Sequence, residues 1–431
     1  MSGDKLDVIV VGAGVAGCTA ALLLARQGLE VALIERGPFP GSKNLSGGIL
    51  YGQVLHQIIP DFWDQAPIER WINNHIVTFL TDTDSISLDY KTPSFSQPPY
   101  NAVSVLRSRF DRWLAEQAET AGAILIPGIK VDRLLRKENR IIGIAAGQEE
   151  MFADVIIAAD GANSFLAQEA GLRQRIPEEH VAIGIKEVIA LPREVIESRF
   201  RLEGNEGSAY SIVGSATQGI AGGGFLYTNR ESISIGLVIQ LADLIEHRIK
   251  INDIFDQFLS HPWIASLIKG GKVVEYGAHL VPEAGLRMMP RLWMDGMLVI
   301  GDAAGLTINN GFWVRGMDLA IGSAIAASEA VIRSYQNKDF SAESLAFYGQ
   351  KLEKSFVMAD LRTFSRAPHF MQNERLYTVY PQMLSEILHQ IYQQDAHPHP
   401  PLSRIALEAV RHNPLSLWDV LKDLWNGGRA L

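Results

Sequence analysis

At 431 residues the chain is longer than one simple core requires, so two or three lobes are expected. With 47% hydrophobic and 20% charged residues it reads as a soluble globular protein. Its 48 acidic against 39 basic side chains (net −9) argue against nucleic acid as a partner. The single cysteine, Cys18, excludes an intramolecular disulfide and a cysteine-ligated iron–sulfur cluster held by this chain alone. The opening MSGDKLDVIV has no signal-peptide pattern, and no apolar run reaches the about eighteen residues that would span a bilayer, so the expected location is cytoplasmic.

The first element is the most informative. In LDVIVVGAGVAG, residues 6–17, an apolar strand through Val8–Val11 runs into three spaced glycines, Gly12, Gly14 and Gly17. A small-residue helix ending at Gly28 follows, then the strand EVALIE ending at Glu35. This is the dinucleotide fingerprint in its full context. Gly12 allows the tight turn, Gly14 the approach of a pyrophosphate, and Gly17 the closure of helix on sheet. The bare N–H groups of the helix start suit phosphates, and Glu35 suits the two hydroxyls of an unphosphorylated ribose. Val15 and Ala16 within the motif, and Arg36 after the acidic residue, join the candidate contacts.

Beyond this βαβ unit comes a polar, glycine-rich loop, GPFPGSKNLSGGILYG, and then the proline-rich SFSQPPYN. In SRFDRWLAEQAETAGA the residues Phe110, Trp113, Leu114 and Ala118 form a helical stripe closed by Gly122. Short strands follow in AILIPGI, KVDRLLRK, RIIGIAAG and DVIIAADG. From about 180 to 280 the alternating segments HVAIGIKEVIAL, GGGFLYTN and SISIGLVIQ predict an antiparallel second lobe. Rossmann-like material returns in MLVIGDAAG with a long helix after it, and the chain is helical from Ser341 onward apart from the break AHPHPP. The expected fold is therefore α/β. A doubly wound, Rossmann-like domain spans 1–180 and 281–335, with a β-rich lobe at 181–280 and a helical region at 336–431.

Two later segments each read strand, Asp, small residues, helix: VIIAADGANS with Asp160 and Gly161, and LVIGDAAG with Gly301 and Asp302. Ligands of parallel sheets sit at the carboxyl ends of strands. Carboxylates there can accept hydrogen bonds from sugar or ribityl hydroxyls, which an extended flavin dinucleotide needs. With GAGVAG and Glu35, VLRSRFDRWL, ADGANS and GDAAG in this order over about residues 5–335, the chain resembles the FAD family of aromatic hydroxylases, geranylgeranyl reductases and electron-transfer flavoprotein:quinone oxidoreductases. The loop GSKNLSGGILYG and the run GDAAGLTINNGFWVRGMDLAIGSAIAA are most similar to its FixC branch.

The resemblance implies a FAD-binding domain with non-covalent FAD. It places the loop bearing Lys43, Asn44, Ser46, Gly47 and Gly48 near the flavin ring, Arg107 near the pyrophosphate, and Asp302 on the ribityl chain. It adds Val131 and Gly311 to the contacts and gives the turn Gly316–Met317 the flavin pyrimidine edge, where a helix N-terminus stabilises negative charge. Asp318 stands where relatives often carry Asn, and a carboxylate facing the ring would oppose that charge. The implied activity is electron transfer from a two-subunit electron transfer flavoprotein toward a quinone, with a ferredoxin-like iron–sulfur protein as partner. The alternative is a reductase or monooxygenase acting on a prenyl or aromatic compound with NAD(P)H.

Several residues carry plainer readings. Cys18 is expected as a packing residue rather than a reactive thiol. Lys43 and Asn44 serve equally as ring contacts or as a solvated loop. One of Arg107 and Arg109 should face solvent. Gly222–Gly224 suit a bulge or twisted strand, Trp313 packing, and the charged run 194–206 a solvated face. His397 and His399 lack a third metal ligand. Peripheral contact with the inner face of a membrane would fall on Phe95–Tyr100 or on the helix near Trp418 and Trp425.

Overall fold

The computed structural model describes residues 5–44 and 47–431. Its first sheet runs, in spatial order, Trp293–Met294, Met297–Val299, Glu149–Ala158, Leu6–Val11, Val31–Glu35 and Ile124–Pro127. All but the edge strand Trp293–Met294 are parallel. Parallel strands covered on both faces must be apolar throughout, and Val8, Ile9 and Val10 are fully buried. The helix Val15–Ala25 touches both Arg107–Thr120 and Met317–Asn337. Sandwiched in this way, it is buried at every residue except Leu23, as its small, all-round apolar sequence requires. The strands Arg133–Lys137 and Arg140–Ala146 extend this sheet as an antiparallel ribbon on the first half of Glu149–Ala158.

The second sheet has nine strands. Val181–Ala190, Gly222–Thr228 and Ser232–Gln240 form where the alternation predicts them, beside Glu206–Gly214 and Lys272–Pro282. Gly48–Tyr51, Ile68–Leu80, Ser85–Lys91 and Ala102–Val105 join the same sheet. Sheet membership therefore does not follow the sequence-derived break at residue 180. The join is the parallel pairing of Ile68–Leu80 with Glu206–Gly214.

Buried polar groups hold that join. The Arg70 guanidinium is almost fully buried. It donates to the carbonyls of Asn229 (2.7 Å), Gly204 (3.1 Å) and Glu206 (2.9 Å), with Glu197 3.5 Å away as counter-charge. Asn73 adds a 2.8 Å bond to the Glu206 carboxylate. A buried guanidinium survives only with its donors satisfied, so Arg70 sets this register and docks two distant pieces of chain. Its partner Glu197 falls in the charged run 194–206, only part of which is free of such a role.

The helical region follows. Its last helix, Leu417–Ala430, opens on a Ser416–Asp419 capping box. Asp423 accepts two bonds from Arg375 (2.7 and 2.8 Å) and one from the Tyr380 hydroxyl (2.6 Å), tying that helix to the segment before it.

Candidate functional site

Register brings the sequence motifs together. Val11 pairs with Ile34 on one side and Ala158 on the other, and Ala158 pairs with Val299. The carboxyl ends of four adjacent parallel strands are thus level, and Glu35, Gly12, Asp160 and Gly301 stand beside one another along one sheet edge. Gly12, at φ +107°, lies so close to the neighbouring chain that a Cβ would meet the Ala159 carbonyl at 2.3 Å, while a Cβ on Gly17 would meet the Gly12 carbonyl at 1.9 Å. The helix after them begins at Val15, beside Ala16, with Gly14 at its N-cap and no side chain capping it.

Glu35 accepts from the amides of Ala13 (3.0 Å) and Gly37 (2.6 Å), so its carboxylate is locked to the glycine turn. Val131 is partly buried against this core, following Ile129, whose amide bonds the Glu35 carbonyl at 2.9 Å. Arg36 is exposed. Cys18 is fully buried and its thiol reaches the Ala13 carbonyl at 3.3 Å; burial pushes the thiol up, which suits packing and not reactivity.

Arg107 and Arg109 divide as the pattern requires. Arg109 faces solvent beside Glu69. Arg107 turns inward, donating through Nε (2.7 Å) and Nη2 (2.8 Å) to the buried Asp111, which also accepts from Asn44 at 2.6 Å. A Cβ on Gly14 would have the Arg107 guanidinium at 3.8 Å and the Asn44 amide at 4.0 Å as its nearest neighbours, so these groups frame the glycine turn. Lys43 is exposed, its stem beside Gly37. Both residues lie on the glycine-turn side of the loop. Its far side reaches elsewhere: a Cβ on Gly48 would touch the Met317 methyl at 3.2 Å. Gly47 and Gly48 thus adjoin the start of the helix Met317–Asn337, which Gly316 caps without a side-chain bond. Ser46 lies outside the described residues.

Asp302 sits half-buried after Gly301, whose amide bonds Ser323 Oγ at 3.0 Å. Burial pushes its carboxyl up and Arg107 opposes this. Asp160, followed by Gly161, accepts from the Leu166 amide at 3.0 Å through one oxygen, while its Oδ1 is buried without a partner among the described residues. Burial raises its carboxyl too. The segments are bolted together through the Ala303 carbonyl, which accepts from Ser164 and Arg173, each at 2.9 Å. Gly311 lies in the hairpin Ile308–Arg315, its amide on Asn309 Oδ1 at 3.0 Å. Asp318 is clasped by Arg315 at 2.6 Å, so its charge is neutralised at the helix start. Trp313 packs edge-on against Phe364, with ring centroids 5.0 Å apart.

An orphaned carboxylate oxygen, an uncapped helix start and a glycine turn open toward a guanidinium fit an extended dinucleotide, whose hydroxyls and phosphates supply the missing donors and charge.

A cavity of about 320 Å³ adjoins the hairpin. Ala182, Gly222 and Val238 form one wall, Met371 and Tyr377 another, and Glu283 also lines it. A Cβ on Gly222 would strike the Val238 carbonyl at 2.3 Å, so close strand approach explains this glycine. Glu283 accepts from Asn309 at 3.5 Å, and burial pushes its carboxyl up to about 7. Glu283 went unrecognised in the sequence, as did Lys186. The signal for Lys186 was one lysine inside an apolar strand, HVAIGIKEVIAL. No group of metal-ligating side chains forms among the described residues, the His397–His399 turn included.

The fold and crevice define an FAD-dependent oxidoreductase. The family model described as FAD dependent oxidoreductase matches residues 7–78; ETF-QO, ubiquinone-binding matches 181–281; and the ETF-QO/FixC family C-terminal domain matches 367–431. The chain belongs to the ETF-QO/FixC family. It is 46% identical over 431 residues, all of both chains, to the probable electron transfer flavoprotein-quinone oxidoreductase YdiS of Escherichia coli K12. It is also 46% identical to Protein FixC of Salmonella typhi, again over all of both chains. Among solved structures it is similar to a geranylgeranyl bacteriochlorophyll reductase-like protein of Thermoplasma acidophilum (TM-score 0.71, 21% identity, 98% and 99% of the two chains). It is likewise similar to the FAD-dependent halogenase CndH (TM-score 0.63, 17% identity, 99% and 91%), and both likenesses concern the fold alone.

Proposed function

We propose that this chain accepts electrons from a two-subunit electron transfer flavoprotein and passes them to a quinone, with a ferredoxin-like iron–sulfur protein as a further partner. The observation that carries the reading is the full-length 46% identity to a protein named for that reaction, together with the ubiquinone-binding family match over 181–281. The single cysteine favours an iron–sulfur centre supplied by another chain.

In this reading the glycine turn, Glu35 and Val131 hold the adenosine half of FAD, and Arg107 with the uncapped helix start holds the pyrophosphate. Asp160 and Asp302 accept from the hydroxyls. Gly47, Gly48, Gly311, Gly316 and Met317 border the ring. FAD bound there supplies the exchange of electrons; the protein supplies position and electrostatics. We assign the quinone head to the cavity beside Gly222 and Glu283, because its walls come from the ubiquinone-binding segment and the C-terminal family domain. The second sheet then serves as the acceptor lobe and residues 336–431 as its cap.

No helix among the described residues is long and apolar enough to cross a membrane. A quinone resides in lipid, so the reading includes peripheral contact with the inner face of the membrane. The exposed Leu417, Trp418, Leu421, Leu424 and Trp425 on one helix favour it.

Anaerobic stopped-flow reduction tests the reading. The FAD-loaded protein should be reduced by a reduced electron transfer flavoprotein and reoxidised by a short-chain quinone. Direct reduction by NADPH, accelerated by a prenyl or aromatic compound, would instead make it a substrate-modifying flavoenzyme.

A further inference from the structure

Lys186 is a charged side chain that the fold itself does not explain. It is only 4% exposed, on the strand Val181–Ala190, second from one edge of its sheet. No carboxylate lies within 4 Å of its ammonium among the described residues, so it has no ion pair of the kind that stabilises Arg70. It donates to the Gly47 carbonyl and stands 5.7 Å from the centre of the Phe225 ring. A buried ammonium with no contacting carboxylate is costly, and such groups concentrate where a charge must be met or a proton moved.

Its place says which. Gly47 is the residue before Gly48, whose Cβ position touches Met317 at the start of the long helix. Lys186 therefore borders the end of the crevice to which the proposed reading gives the flavin ring. Two charged groups act on it from the elements around it: Glu275 on the adjoining strand Lys272–Pro282, and Arg107 from across the loop. Burial has the largest effect, followed by the attraction of Glu275 and the repulsion of Arg107, and together they bring the ammonium down to about 7.

We propose that Lys186 is the counter-charge and proton source that accompanies arrival of electrons at the ring end of the FAD site. This rests on the ring placement given above. A donor flavoprotein hands over electrons without hydride, so the receiving site gains negative charge unless a proton follows. With FAD bound there, the two electrons lost by the donor would be accompanied by one proton from the Lys186 Nζ ammonium, and the neutral amine left behind would be reprotonated from solvent.

The test uses the full-length, FAD-loaded protein with Lys186→Met and Lys186→Arg. Two readouts besides turnover are taken: sulfite binding, which reports positive charge at the ring, and the flavin midpoint potential across the neutral pH range. Lys186→Met should lose about tenfold in sulfite affinity, the scale of one removed charge interaction, and its midpoint potential should fall. Lys186→Arg should keep both near wild type while losing the part of the pH response that a releasable proton adds. Should Lys186→Met fail to retain FAD, Lys186→Gln carries the same comparison. Unchanged sulfite affinity and potential in a variant that retains FAD would overturn the proposal. Met317→Gln separates this from failure of the ring placement: its flavin spectrum shifts if the ring is at that end. A shift there with silent Lys186 variants sinks the lysine alone; silence in both sinks the placement and the lysine with it.

Discussion

Arg315 donates to Asp318 through Nε at 2.7 Å and to Asp360 through Nη1 at 2.6 Å, joining the start of the long helix to the helical region. Its guanidinium also lies among the rings of Trp313, Phe356 and Tyr51, 5.5 to 5.8 Å from their centres. The carboxylate that seemed out of place at a site for anionic charge is thus answered by a cation three residues before it. Arg315→Ala leaves the buried Asp318 uncompensated and should cost about 3 kcal/mol. The thermal midpoint should fall, and Asp318→Asn in the same chain should restore part of the loss. A double variant as unstable as the single one would show that ring packing, not the ion pair, is what Arg315 supplies.

Gly12 admits no side chain. A methyl group there would press on the Ala159 carbonyl at 2.3 Å, and backbone at φ +107° resists L residues. Gly12→Ala should be recovered without FAD, by absorbance after gel filtration. Stoichiometric flavin in that variant would contradict the tight turn.

Glu35→Ala removes two acceptors for loop amides as well as the expected ribose contact. A loss of about 1–3 kcal/mol corresponds to about ten- to a hundredfold weaker FAD binding. Titration with FMN, which lacks the adenosine half, should show little change. Equal losses for both nucleotides would argue against the adenosine end lying at Glu35.

Glu283 predicts a pH dependence. Its folded carboxyl is raised from 4.5 to about 7, so the native state holds a proton that the unfolded chain releases. The favourable contribution is complete below about pH 4.5 and is lost as pH rises through about 7. Because the residue borders a cavity, about 1–3 kcal/mol is the expected size. Urea midpoints of wild type and Glu283→Gln should diverge across that window, with wild type losing ground at higher pH. Parallel curves would place the carboxyl in water.

Trp418 is 73% and Trp425 67% exposed, so replacing both by Ser should leave the fold intact. Binding to quinone-containing anionic vesicles should drop several-fold in flotation. Undiminished flotation would move membrane contact elsewhere, for example to the exposed Leu88 and Tyr90 on the strand Ser85–Lys91.

What the linear chain determined by itself was local. The glycine turn, the helix after it and Glu35 lie within about thirty residues, and the place of each follows from turn geometry, helix ends or strand alternation, which neighbours in sequence decide. ADGANS and GDAAG were legible for the same reason, as were the helix Arg107–Thr120 and the all-helical end. Tertiary structure decided everything that needed a distant partner. It levelled Gly12, Asp160 and Gly301 through strand register, and turned Arg107 inward by giving it Asp111. It also drew four strands from residues 48–105 into the second sheet through the buried Arg70, although polar residues such as Asn73 and Asn74 blur their alternation. Lys186 and Glu283 belong to this second class. A charged residue in a strand looks alike whether solvent or a closed crevice faces it, and only packing sets which groups lie close enough to shift its proton.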